Sequence, residues 1–179
     1  MSTETIKIML VDDHAVVRAG LSRFIEHQLG MEVAQETDSG EAAYQLYGQS
    51  QIDIIVMDLS MPGMGGLESA KRILGRYPKA KIVIFSMHDS ATFASQAIKA
   101  GVKGYVTKTG KDNDLINAIQ KVAQGDVYIS TEVAKKMAFQ NMAGDQHPLN
   151  LLSTREFEVF RLLAEGLSSE AVGDSLKIS

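Results

Sequence analysis

Cysteine is absent from the 179 residues, which rules out disulfides and thiolate metal sites and suits an intracellular chain. No apolar run approaches the roughly 20 residues that span a bilayer. The opening residues Met1 to Thr5 have neither the basic start nor the apolar segment of a signal peptide. These absences point to the cytoplasm and away from a membrane. A basic excess is also missing: the formal charge is -4 and the isoelectric point about 5.6. Any nucleic-acid binding must therefore be local. Proline occurs only three times, at Pro62, Pro78 and Pro148, where it stops or interrupts periodic segments. What remains is an ordinary 45% hydrophobic content, enough for one full α/β domain and something smaller.

The most informative stretch runs from Ile52 to Asp58, followed by Pro62, Gly63, Gly65 and Gly66. An apolar run too short for a helix reads as a buried strand, and the proline and glycines force a loop after it. One carboxylate, Asp58, is left at the strand's end. Around it the chain alternates. Strands are expected at Ile6 to Val11, Glu32 to Gln35, Lys81 to Ser86 and Val102 to Thr107. Helices are expected from Ala15 to His27, with Val16, Val17, Leu21, Phe24 and Ile25 at helical spacing, and from Ser39 to Tyr47, Leu67 to Tyr77, Ser90 to Lys99 and Asp112 to Ala123.

Five strands alternating with five helices predict an α/β fold, a five-stranded doubly wound parallel sheet, followed by a short all-α segment. With the flavodoxin-like order 2-1-3-4-5, the strand ends carrying Asp12 and Asp13, Asp58, Ser86 and Lys108 meet at one rim, where open α/β sheets bind ligands.

Adjacent acids at a strand end repel each other unless a cation sits between them. Oxygen donors without a His or Cys cluster favour Mg²⁺ over zinc, with Asp13 and Asp58 as ligands and Asp12 acting directly or through water. An ionised Asp58 can attack a phosphoryl group and form an acyl phosphate. Lys108 offers a point charge, and the Ser86 hydroxyl can donate to a phosphoryl oxygen only after transfer. Each residue alone has a plainer reading: Asp58 as a turn former, Asp12 and Asp13 as helix caps, Lys108 as a solvated charge. Their joint appearance at successive strand ends favours the chemical one. His14, His27, His88 and His147 lack paired metal-ligand spacing and read as surface or packing residues, with His88 bordering the rim.

The motifs Val11-Asp12-Asp13-His14, Met57-Asp58-Leu59-Ser60-Met61-Pro62-Gly63, Phe85-Ser86-Met87-His88 and Gly104-Tyr105-Val106-Thr107-Lys108 resemble, in order, those of the receiver domain of two-component response regulators. The resemblance covers residues 5–125. It implies that Asp58 takes phosphate from a histidine kinase or a small phosphodonor. It also implies that Asp13, Asp58 and the Ser60 carbonyl hold Mg²⁺, and that Ser86 and Tyr105 report the change. Thr109 stands where many receivers have proline, which leaves the isomer of the Lys108–Thr109 peptide open. A haloacid dehalogenase-type phosphatase needs a second Asp two residues after its nucleophile, a form that neither Asp12-Asp13 nor Asp58-Leu59-Ser60 has. A nucleotide- or flavin-binding module needs a glycine-rich phosphate loop after strand one, where this chain has Asp12-Asp13-His14.

Beyond Gly125, residues 126–150 read as a helix from Ser130 to Met142 and a polar linker. In 151–179, Ser153 and Glu156 form a capping box, Phe157, Phe160, Leu163 and Ala164 make an apolar stripe, and a second helix starts at Ser168 or Ser169. This stretch resembles the start of a LuxR-type helix-turn-helix, as in NarL/FixJ-type regulators. The resemblance places the groove-reading helix after Ser179, so DNA binding is expected only of a chain extending past that residue. Arg155, Arg161 and Lys177 face five acids, Glu156, Glu158, Glu165, Glu170 and Asp174, so the stretch has no basic surface. Twenty-nine residues are too few for a core of their own, so the tail should be mobile or docked on the receiver. The expected protein is a signalling switch and not an enzyme. Its expected output is transcription, with a receiver acting only through protein contacts as the alternative, and a homodimer is possible.

Overall fold

The computed structural model describes residues 5–111, 113–144 and 151–178. Asp112, expected to open the fifth helix, residues 145–150 of the expected linker, and Ser179 lie outside the described residues. Strands β1 (Ile6–Val11), β2 (Met31–Thr37), β3 (Ile54–Met57), β4 (Ile82–Ser86) and β5 (Gly104–Thr107) alternate with helices α1 (Ala15–Glu26), α2 (Gly40–Tyr47), α3 (Gly66–Arg76), α4 (Ala91–Lys99) and α5 (Asp114–Ala123). Every strand pairing is parallel, in the order β2-β1-β3-β4-β5-β6.

The sheet has six strands instead of the expected five. Strand β6 (Tyr128–Ile129) adds beyond β5, tied by Tyr128 N–H to the Lys103 carbonyl (2.9 Å) and Ser130 N–H to the Tyr105 carbonyl (3.0 Å). Two residues are too few for an alternation pattern to register. The Lys108–Thr109 peptide is trans, as are the others among the described residues.

Alternate residues of each central strand feed two cores, as the pleat requires. Met9, Val11, Ile55, Met57, Ile82, Ile84 and Tyr105 pack towards α2, α3 and α4. Ile8, Leu10, Ile54, Val56, Val83 and Val106 pack towards α1 and α5. The helical spacing in α1 does not translate into uniform burial: Ile25 is fully buried but Val16 is 86% exposed. Val17, in the same turn, is also exposed, at 37%.

Helices α6 (Thr131–Met142), α7 (Thr154–Ala164) and α8 (Ser169–Leu176) complete the described chain. The capping box of α7 forms as expected, with Ser153 and Glu156 satisfying each other's backbone N–H groups. Of the two expected placements of the tail, docking is realised. Phe157, 2% exposed, joins the core beside α3 and α4, and its ring meets that of Phe93 edge-on at 4.8 Å. Leu162, Val172 and Leu176 form a small cluster of their own between α7 and α8. No described helix is long and apolar enough to cross a membrane.

Candidate functional site

The carboxylate rim forms because three buried strands stop at one edge and each is followed by a polar residue. Asp58 follows β3 and is anchored by its N–H to the Val11 carbonyl at 2.8 Å. Only 5% of it is exposed. The loop after it returns at once into α3, with Gly66 N–H donating to the Leu59 carbonyl at 3.0 Å. Gly66 is required by that return, because a Cβ there would lie 2.0 Å from the Asp58 carbonyl oxygen. Backbone, unlike a flexible side chain, cannot swing aside. Gly66→Ala should therefore cost on the order of 1–3 kcal/mol in denaturant unfolding and shift the Asp58 amide resonance. An unshifted Asp58 amide would count against this packing.

Asp12 and Asp13 follow β1. Asp12 is almost fully buried, and both its oxygens are engaged. Oδ2 accepts from Lys108 Nζ at 2.7 Å, and Oδ1 accepts from His14 N–H at 2.8 Å. Asp13 differs: its Oδ1 is buried without a hydrogen bond, although His14 Nδ1 lies 3.0 Å away. Lys108, after β5, also reaches Asp58 Oδ1 at 3.2 Å. The ammonium thus bridges Asp12 and Asp58. Burial pushes the Asp58 carboxyl above its ordinary range; Lys108 opposes that and Asp12 adds to it.

Asp12, Asp13, His14 and Asp58 can each present a ligand atom within 4.8 Å of the others. Sequence spacing alone marks His14 as an ordinary surface or packing residue. It is exposed, but its adjacency to the acid pair brings its ring and its N–H onto them. A hard, oxygen-preferring ion would still take the carboxylates first. The poorly donated Asp13 oxygen and the Asp58 oxygens fit direct ligation. Asp12, occupied by Lys108 and His14, fits an indirect role.

Ser86 and Tyr105 are fully buried nearby. Ser86 Oγ accepts from His88 N–H at 3.2 Å, and the Tyr105 hydroxyl donates to the His88 carbonyl at 2.8 Å. Burial pushes the Tyr105 phenol upward, so it stays a donor. His88 therefore does border the rim, and its Nε2 is hydrogen-bonded to Ser60 Oγ at 2.9 Å. The structure brings Asp12, Asp13, Asp58 and Lys108 into direct contact range. Ser60, Ser86 and Tyr105 form an adjoining set gathered around His88.

Residues 8–120 match the family model of the response regulator receiver domain. Oxygen regulatory protein NreC of Staphylococcus carnosus (strain TM300) is 36% identical, over 97% of this chain and 84% of that protein. Response regulator GacA of Pseudomonas aeruginosa is 32% identical, over 97% and 82%. Among solved structures, a LuxR-family two-component response regulator from Aurantimonas sp. SI85-9A1 superposes with a TM-score of 0.76 at 40% identity, covering 78% of this chain and 99% of that one. The RcsB response regulator of Salmonella typhimurium superposes with a TM-score of 0.73 at 25% identity, over 98% and 85%. With a parallel sheet that gathers three aspartates and a lysine at its rim, and with the family model spanning that sheet, the chain belongs to the response regulator receiver family.

Proposed function

We propose that the chain is a phosphorylation-dependent response regulator of transcription, in which Asp58 accepts a phosphoryl group from a histidine kinase. The observation that carries this reading is a buried Asp58 whose Oδ1 lies 3.2 Å from Lys108 Nζ, beside the Asp12–Asp13 pair. An Asp58 oxygen attacks phosphorus, the bond from phosphorus to the donor's imidazole nitrogen breaks, and an acyl phosphate results. Lys108 stabilises the added negative charge. The Ser86 hydroxyl, which accepts from His88 N–H, has its own proton to give to a phosphoryl oxygen. Tyr105 reports the change through the same loop. These side chains distinguish the two states, and that difference is what biases a two-state element.

Asp13, Asp58 and the Ser60 carbonyl would hold Mg²⁺, with Asp12 engaged through water. When bound, the ion supplies charge neutralisation on the phosphoryl oxygens. Residues 5–125 are proposed as the receiver, 126–150 as a connecting helix and linker, and 151–179 as the first part of a LuxR-type output module. DNA as the target of the output is supported by the likeness to RcsB, a response regulator that interacts with DNA.

The chemical identity of the adduct tests the reading. After incubation with acetyl phosphate and Mg²⁺, the bound phosphoryl should be released by hydroxylamine, as an acyl phosphate is. An adduct that resists hydroxylamine, as a serine ester does, would contradict it.

A further inference from the structure

One side chain that the phosphoryl chemistry leaves unused connects the Asp58 loop to the docked output helices. His88 follows β4 by two residues, and its side chain is 27% exposed. On one side its Nε2 meets Ser60 Oγ at 2.9 Å. On the other its ring lies against Phe93 at 4.8 Å, and Phe93 meets Phe157 of α7 edge-on at the same distance. Glu165, the C-cap of α7, places Oε1 3.9 Å from the same Nε2 and is itself held by Arg161 at 2.9 Å. The backbone is fixed as well, by Ser86 Oγ at the His88 N–H and by the Tyr105 hydroxyl at the carbonyl. A half-buried histidine is by default only a packed side chain. Here the side-chain hydrogen bond goes to the Asp58 loop, through Ser60, and the aromatic and nearest ionic contacts lead towards α7 and its C-cap.

We propose that His88 is a positioning residue that fixes Ser60 from the α7 side, so that the docked helix sets how well the Asp58 loop is ordered to receive a divalent cation. The inference rests on the proposed role of the Ser60 carbonyl as a Mg²⁺ ligand. His88 touches no reacting atom; it acts through Ser60. A hydrogen bond to a residue that presents a ligand orders that ligand in advance, and its loss makes ordering part of the cost of binding.

The test is Mg²⁺ titration of the whole chain followed by amide NMR, which needs no phosphoryl donor. His88→Phe keeps a ring against Phe93 but loses Nε2, Ser60→Ala keeps the carbonyl but loses Oγ, and His88→Gln restores a polar group of similar reach. One hydrogen bond's net worth corresponds to roughly a two- to twelvefold change. His88→Phe and Ser60→Ala are each expected to raise the Mg²⁺ dissociation constant by about three- to tenfold. The double variant should be no weaker than either single one, since they break the same contact. His88→Gln should recover most of the loss, and Phe157→Ala should shift the constant in the same direction as His88→Phe. Melting curves separate a purely structural role, which would lower the melting temperature and leave the Mg²⁺ constant unmoved. Unchanged constants, additive effects in the double variant, or wild-type affinity in Phe157→Ala would overturn the proposal. If wild type binds Mg²⁺ with this pattern but takes no phosphoryl group, the positioning role stands and the phosphoacceptor reading falls.

Discussion

At pH 7 without Mg²⁺, Asp58→Asn is expected to melt several degrees above the wild-type chain. Burial holds the Asp58 carboxyl above its ordinary range, and Asp12 adds to that shift while Lys108 only partly offsets it. A carboxyl raised on folding binds more protons in the native than in the unfolded state between the two pKa values. Stability therefore falls as pH rises through that window, and the full penalty is present above the folded value. Asparagine removes the charge and the penalty, while Lys108 keeps its 2.7 Å contact with Asp12. Stabilising changes at functional sites are commonly worth about 0.5–2 kcal/mol. Lowering the pH through the window should erase the advantage, because wild-type Asp58 then becomes neutral too. Calorimetry across pH reads this directly, and a variant that melts at or below wild type at pH 7 would sink the account of Asp58's environment.

The second large effect concerns the docked tail. Phe157→Ala should detach α7 and α8 from the receiver, because this ring is the buried residue of α7 that joins the receiver core. Truncating a buried Phe costs about 3–5 kcal/mol, more than a short helical pair with three buried apolar residues between its own helices can offset. Glu158 supports the docking but does not replace it. The residue is 4% exposed, its carboxylate pairs with Arg155 at 3.0 Å, and its Oε1 lies against Gly65, 2.4 Å from where a Cβ would stand. Hydrogen exchange in α7 and α8 should accelerate towards unprotected rates while β1, β3 and β4 change little. Phe160→Ala, at a ring 44% exposed, should leave the pattern as it is. Intact protection of α7 in Phe157→Ala would show that docking is held elsewhere.

The rim was legible in the sequence because each strand is an apolar run that ends abruptly in a polar residue. Asp12, Asp13, Asp58 and Lys108 stand at those stops, and the structure brings all four together. Local signals also located most helices through caps such as Ser39, Ser90 and Ser153. What could not be read is non-local. The Tyr105 hydroxyl reaching the His88 carbonyl depends on β5 lying beside β4, and His88 reaching Ser60 depends on two loops meeting at the sheet edge. Strand β6 is defined by its pairing to β5 and not by any pattern within Tyr128–Ile129. The exposure of Val16 is likewise not encoded by helical spacing, which marks it as apolar-periodic with Ile25 although only Ile25 is buried. Phe157 read as part of an apolar stripe; that the stripe's partner is the receiver core follows only from the packing.

The most direct test of the central claim is intact-mass analysis after incubation with acetyl phosphate, comparing wild type with Asp58→Asn in the presence and absence of Mg²⁺. The account predicts a gain of one phosphoryl group in wild type with Mg²⁺, and none in the variant or without the ion. Equal uptake by Asp58→Asn, or no uptake by wild type from either acetyl phosphate or a phosphorylated histidine kinase where a control receiver is modified, would contradict it.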